Sequence, residues 1–475
     1  APFPGPDQAR RPSPAPALSV WEMRVPRGRL ARLGLEVVLG LLCVACTATF
    51  DQAGLLGQGE DPFRQQVDPL APWSPLDQPG PTPRVLFPTP EPVATITPTP
   101  APPTPRPSPT PLPTATPIIP LSELKKTPAP PTRVLGHGLY LPAGFDVGLF
   151  AGGLDTVSAM AYASDDVLFV SLPGKGAVVA IQDNGGRAGS VEVFVQGLAQ
   201  PTGLAFREGY LYVAEAHQVV RFRYEPGRLS AASEAEVVVG NLPVGGVHQA
   251  HAIGFGPDDK LYVSIGSSCN VCRETDYRRA TIMRYDVDGS HEEVYARGLR
   301  DVEAFCWYPG SGQFLATNCG RRRMGEDLPP DTLEIIAQGA NYGWPFCHAG
   351  DIADPLFGSP EACDGVPRPL QQFPAHTSPK ALCVYTGGQF PDEYRGDIFV
   401  ALNGSWERLV PVGYKVVRIK VEEGQLAGVE DFATGWLVHG QAWGRPAGLI
   451  QARDGSLLVS DDRMGAIYRI YYKGQ

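Results

Sequence analysis

Positive charge, long apolar stretches and helical periodicity are all scarce in this 475-residue chain. Lys and Arg number 40 against 50 Asp and Glu, a formal net charge of −10. The basic face that neutralises phosphates is therefore missing, which argues against nucleic acid as a partner. No apolar run reaches the ~20 residues that cross a bilayer, so a multi-pass membrane protein is excluded. A hydrophobic content of 43% equally excludes a chain that is disordered throughout. The CxxC at Cys269–Cys272 is followed by Arg273 rather than His, which excludes haem attachment, and no second CxxC completes a zinc site.

Proline is abundant but uneven. Twenty of the 50 lie between Pro79 and Pro131, and the stretch from Pro98 to Pro120 is low-complexity Pro/Thr. Proline fixes φ and removes a hydrogen-bond donor, so this segment reads as an extended spacer, or as a ligand for proline-binding modules. Upstream, Met23 opens a basic stretch (Arg24, Arg27, Arg29, Arg32) that precedes the apolar run Leu33–Cys46. That pattern is an export signal. Val44-Ala45-Cys46 resembles a bacterial lipobox, so lipidation at Cys46, simple secretion and an uncleaved anchor are the alternatives. The expected domains are a signal and N-terminal extension at 1–46, a disordered Pro/Thr-rich linker at 47–133 and a folded domain at 134–475. The predicted location is the cell envelope or outer surface, with a lipid anchor as the only membrane contact.

The folded part repeats one phrase, a turn residue followed by a short apolar strand. It begins at Asp166, Gly209, Asp259, Gly312, Gly396 and Gly455. Short strands with period-two alternation and regular turns indicate an all-β fold. Six such units predict a six-bladed β-propeller, with an insertion in the long gap, roughly 320–380. Export permits disulfides. Cys269–Cys272 is expected to close a short loop, Cys347–Cys363 to staple the insertion and Cys306–Cys319 to bridge a hairpin, leaving Cys383 free.

Propellers place function on their loops. His248, between Gly245-Gly246 and the apolar stretch 252–255, is a candidate general base, with His251 as its alternative. Arg300 and Arg445 occupy comparable positions and suit a polyanionic ligand. Carboxylates and loop carbonyls around Gly320–Arg323, Asp331 and Glu334 are candidates for Ca²⁺, a cation that takes oxygen ligands.

Several phrases in order carry a resemblance: GFGPDDKLYVSIGSSCNVC (254–272), ARGLRD (296–301), NYGWPFC (341–347), the stretch 390–419, GRPAG (444–448) and DGSLLVSDDRMGAIYRIYY (454–472). They resemble the glucose/sorbosone dehydrogenase family, over nearly all of residues 134–472. The resemblance implies a six-bladed propeller that oxidises a sugar-derived alcohol or aldehyde with pyrroloquinoline quinone and Ca²⁺. It places the general base at His248, the cofactor carboxylates at Arg300 and Arg445 with Asp301 alongside, and the metal on the backbone carbonyls of Gly320 and Arg321. Asp301 stands where the family phrase GLRN has Asn. Electrons must pass to a separate acceptor. Two other readings are a calcium-dependent propeller lactonase, using Asp301, Glu303 and Asn403, and a non-catalytic propeller that binds carbohydrate or protein.

Overall fold

The structure is a computed structural model that describes residues 138–405 and 407–474. The expected signal, the Cys46 anchor and the Pro-rich linker lie outside the described residues. The six repeats are six four-stranded antiparallel sheets. Blade 1 runs through Met160–Tyr162, Val167–Leu172, Ala177–Asp183 and Ala188–Gln196. Blade 2 is Gly203–Arg207, Tyr210–Glu215, Gln218–Arg223 and Glu236–Val239, and blade 3 is Ile253–Phe255, Leu261–Ile265, Thr281–Tyr285 and Glu293–Arg297. Blade 4 is Phe305–Trp307, Phe314–Asn318, Asp331–Ile335 and Gln371–Phe373. Blade 5 is Pro379–Val384, Ile398–Leu402, Lys415–Glu422 and Gln425–Ala433. Blade 6 takes three strands from the C-terminal end, Pro446–Gln451, Leu457–Asp461 and Ala466–Tyr472, and its outer strand, Phe145–Ala151, from the other end of the domain.

The repeated phrase is the second strand of every blade. Each opens with a residue in the left-handed region, from Asp166 at φ 62° to Gly396 at φ 92°. Glycine reaches that region without penalty and Asp tolerates it, which explains the Asp/Gly choice at these six positions. The strand that follows is apolar on both faces because the core is six wedges between neighbouring blades rather than one centre. In blade 1, Val167 and Phe169 pack toward blade 2, while Leu168 and Val170 pack toward blade 6. Burial on both faces converts alternation into a continuous apolar string. A hydroxyl near the strand end then ties second strand to first: the Oγ of Ser171, Ser264 and Ser460 accepts from the N–H of Ala159, Ala252 and Gly448 at 2.7–2.8 Å.

The insertion is narrower than expected. It lies between the third and fourth strands of blade 4, carries the hairpin Cys347–His348/Ile352–Ala353, and is stapled by Cys347–Cys363. Cys269–Cys272 is also bonded, and Cys383 is free as expected. Cys306 and Cys319, however, are both free. Strand register is the reason. Cys306 sits opposite Leu315, whereas Cys319 continues the ladder further on, its N–H bonding the Asp301 carbonyl.

Glu334, on the third strand of blade 4, is a buried acid. Thr332 donates to its Oε1 at 2.6 Å, but Oε2 has no partner, and burial raises its pKa to about 7. Because the folded value lies above the unfolded one, the folded state holds the extra proton at acid pH. Stability is lost as pH rises from the ordinary carboxylate range through about 7. Glu334→Gln should therefore melt above the wild type at pH 8, with the gap closing toward pH 5. Equal melting temperatures at pH 8 would contradict this.

Candidate active site

Four consecutive blades send loops to one end of the ring, where they enclose a cavity of about 310 Å³. His248 enters from the loop before blade 3, and Arg300, Asp301 and Glu303 from the loop before blade 4. Lys380 comes from the start of blade 5 and Arg445 from the residue before blade 6. The expected base and both expected arginines thus line one cavity, as does Gly320.

His248 is pressed against the end of the second strand of blade 3. Gly266 makes this possible, since a Cβ there would stand 2.6 Å from the His248 Cβ. Nδ1 lies 3.0 Å from the Ser267 carbonyl and 2.9 Å from its hydroxyl, and Nε2 is left facing Asp301 Oδ2 at 3.6 Å, beyond hydrogen-bond reach. Burial, with Arg300 nearby, lowers the imidazole pKa to about 3, so the ring is neutral. His251 is no rival. It is fully buried, with Nδ1 2.8 Å from the Ser264 carbonyl.

Arg300 is held by the disulfide loop. Its Nε donates to the Asn270 carbonyl at 3.0 Å, Nη2 to Asn270 Oδ1 at 3.1 Å and Nη1 to the Cys319 carbonyl at 3.3 Å. Asn270 also accepts from the Arg322 N–H at 2.8 Å and donates to the Arg322 carbonyl at 2.9 Å. One asparagine therefore fixes two cationic residues of the rim. The insertion braces the same region: the buried Arg321 side chain pairs with Asp354, which His348 also engages at 2.9 Å, and does not line the cavity.

Opposite charges meet at the cavity floor. Lys380 Nζ lies 3.7 Å from Glu303 and 3.8 Å from Asp462, and Arg445 Nε donates to Asp462 at 2.8 Å. Glu303 is the main cause of the raised Lys380 pKa, and burial raises those of Asp301 and Glu303. Lys380 and Arg445 retain donors for an anionic ligand. Arg300, each of whose guanidinium nitrogens is engaged by Asn270 or the Cys319 carbonyl, contributes chiefly charge. This set fits a polycarboxylate quinone.

For the metal, only backbone is suited at Gly320 and Arg321. Among the described residues no hydrogen bond ends on either carbonyl oxygen. Asp331 is not free to help, because its carboxylate accepts from Gly320 N–H at 2.7 Å, Ser378 N–H at 2.8 Å and the Thr377 hydroxyl at 3.1 Å. Glu334 lies outside the cavity and does not converge with it. Asn403 lines the cavity but donates to Asp462 and the Pro446 carbonyl.

Sequence reasoning missed Lys380, Asn270, Ser267 and Asp462. Lys380 had a signal: like Arg300 and Arg445, it is a cation at the entrance to an inner strand. Asn270 had none, since its role exists only once the disulfide loop meets blade 4.

Residues 209–469 match the family described as Glucose / Sorbosone dehydrogenase. Two curated relatives are themselves described as uncharacterized proteins. One from Borreliella burgdorferi is 31% identical over 222 residues, covering 46% of this chain and 58% of the relative. One from Synechocystis is 29% identical over 189 residues, covering 34% and 44%. The chain thus spans about half the length of the curated relatives it matches. The holo form of the PQQ domain of a pyranose dehydrogenase from Coprinopsis cinerea superposes with a TM-score of 0.62 at 19% identity, over 71% of this chain and 98% of that one. A PQQ-bound aldose sugar dehydrogenase from Streptomyces coelicolor gives 0.51 at 19%, over 70% and 99%. At these identities the likeness is one of fold.

Asn270→Ala removes three of these bonds to Arg300 and Arg322 and leaves buried donors unpaired. The Nε bond to the backbone carbonyl can survive, so the expected cost is about 1–3 kcal/mol in chemical denaturation. An unchanged midpoint would refute the hub.

Proposed function

We propose that this chain, which belongs to the glucose/sorbosone dehydrogenase family, oxidises a sugar-derived alcohol or aldehyde with pyrroloquinoline quinone and Ca²⁺. The observation that carries the reading is a neutral, buried imidazole facing one cavity with Arg300, Lys380 and Arg445. Lys380 and Arg445 would hold the cofactor carboxylates, with Arg300 adding charge, and the Gly320 and Arg321 carbonyls would hold the metal. The chemistry a bound quinone supplies is acceptance of hydride from the alcohol carbon, with the metal as Lewis acid. His248 Nε2 would take the hydroxyl proton, so that with the hydride also gone the alcohol leaves as a carbonyl compound, poorer by two electrons and two protons. Ser267 keeps Nε2 aimed at the cavity by engaging Nδ1. Electrons go on to a separate carrier, in keeping with the absence of a haem-attachment motif from the sequence. Export with a lipid anchor at Cys46 is part of this proposal, supported by the basic stretch and apolar run of residues 23–46.

The calcium-dependent lactonase is the second reading, favoured by the Asp301 and Glu303 carboxylates on the cavity wall. Dye reduction by full chain reconstituted with quinone and Ca²⁺ separates the two. It should require quinone and fall about 10²-fold or more in His248→Ala, with quinone uptake retained. Activity indifferent to quinone, or lactone hydrolysis without it, would replace the first reading with the second.

The lowered His248 pKa has a kinetic consequence. A base with a value of about 3 is already deprotonated across the working range. The acid limb of kcat/KM should therefore not show the ordinary imidazole value near 6.5. An acid limb near 6.5 that vanishes in His248→Ala would contradict the assigned burial.

A further inference from the structure

We propose that the side chains of Asp301, Glu303 and Cys319 form a site for a divalent transition metal, distinct in its ligands from the carbonyl pair at Gly320 and Arg321. Their ligand atoms all lie within 4.8 Å of one another. The backbone prearranges them. Asp301 and Glu303 are two residues apart in the segment that leads into blade 4, and Cys319 is brought opposite by its N–H bond to the Asp301 carbonyl at 2.9 Å. Short segments anchored directly to adjacent strands, before Phe305–Trp307 and after Phe314–Asn318, hold ligands more rigidly than a long loop does.

The three groups are short of partners. The Asp301 side chain is only 9% exposed, and among the described residues nothing donates a hydrogen bond to its carboxylate. Among the described residues Glu303 has an ion-pair partner in Lys380, at 3.7 Å, but accepts no hydrogen bond at its carboxylate, and the buried Cys319 sulfur makes no hydrogen bond. Two crowded carboxylates with no shared donor call for a cation. A fourth group points independently to the same place. His248 is 7% exposed at its side chain, has spent Nδ1 on Ser267, and directs an unbonded Nε2 at Asp301 from 3.6 Å.

The donor set selects the ion. Ca²⁺ and Mg²⁺ take oxygen, whereas a thiolate beside two carboxylates suits Zn²⁺ or Co²⁺. Three protein ligands with the remaining position open to the cavity is the arrangement of catalytic rather than structural zinc. Binding requires the Cys319 thiol to lose its proton to solvent, so uptake releases a proton and weakens at acid pH. Arg300, Lys380 and Arg322 are the countervailing cations. Arg300 is directed at the carbonyls of Asn270 and Cys319 and at Asn270 Oδ1, and Lys380 is shared with Asp462.

Cobalt is the probe. Full chain stripped by chelator, with no quinone present, is titrated with Co²⁺ and followed by absorption. The expected result is saturable uptake with a thiolate-to-cobalt charge-transfer band. The band should vanish in Cys319→Ser and persist in Cys306→Ser and Cys383→Ser. Asp301→Asn and Glu303→Gln, which keep shape and remove charge, should each weaken uptake about tenfold or more. No uptake, uptake without the band, or a band that survives in Cys319→Ser overturns the site. Because quinone is absent, failure here leaves the dehydrogenase reading standing, and failure of that reading leaves this one standing.

Discussion

Ring closure is the constraint on which everything else rests. The strand Phe145–Ala151 completes blade 6 by antiparallel pairing with Ala466–Tyr472, from Phe145 opposite Tyr472 to Ala151 opposite Ile467. Phe145 sits in an aromatic cluster, with Phe390, Tyr394, Phe432 and Tyr472 at centroid distances of 4.8–5.2 Å. Such edge contacts add about 0.5–1.5 kcal/mol each beyond area burial. Closure also covers the edge of the last C-terminal strand, which would otherwise be a template for association. Without it, blade 6 would lack its outer strand and the seam between blades 5 and 6 would open, carrying Arg445 away from Lys380 and His248.

The cavity concentrates charge where a protein interior ordinarily avoids it. The fold tolerates this by tying the cations to fixed partners: Arg300 to the carbonyls of Asn270 and Cys319, and Arg445 to Asp462. Buried charge paired in this way holds position without large reorganisation, which is what stabilising an anionic ligand requires. Asp301, Glu303 and Cys319 break the pattern: among the described residues none of their side chains accepts a hydrogen bond, and Glu303 has only the 3.7 Å approach of Lys380 as an ion pair. Their exception to an otherwise satisfied network is what marks them as a site rather than as scaffold.

Much of this was legible in the chain. The second strands announced themselves because interblade wedges bury both faces, so each repeat is an apolar string behind an Asp or Gly with positive φ. His248, Arg300 and Arg445 were found through phrases at loop positions that the ring brings together. Short-range pairs, Cys269–Cys272 and Cys347–Cys363, followed from spacing. The pairing of Cys306 with Cys319 failed because hairpin register, not separation, decides which residues face each other. Asp331 looked like a metal ligand until its three hydrogen-bond donors were in view. Asn270 and Ser267 carry no sequence signal, because their importance lies in contacts between a disulfide loop and neighbouring strands.

The central claim is that one closed ring gathers an imidazole and a set of cations around a polycarboxylate redox cofactor. Equilibrium uptake of pyrroloquinoline quinone by the purified full chain with Ca²⁺, followed by quenching of intrinsic fluorescence, tests it most directly. The account predicts saturable binding that weakens about tenfold or more in Lys380→Ala, where a charged donor is lost. Absence of saturable binding, or binding as tight in Lys380→Ala as in the wild type, would contradict it.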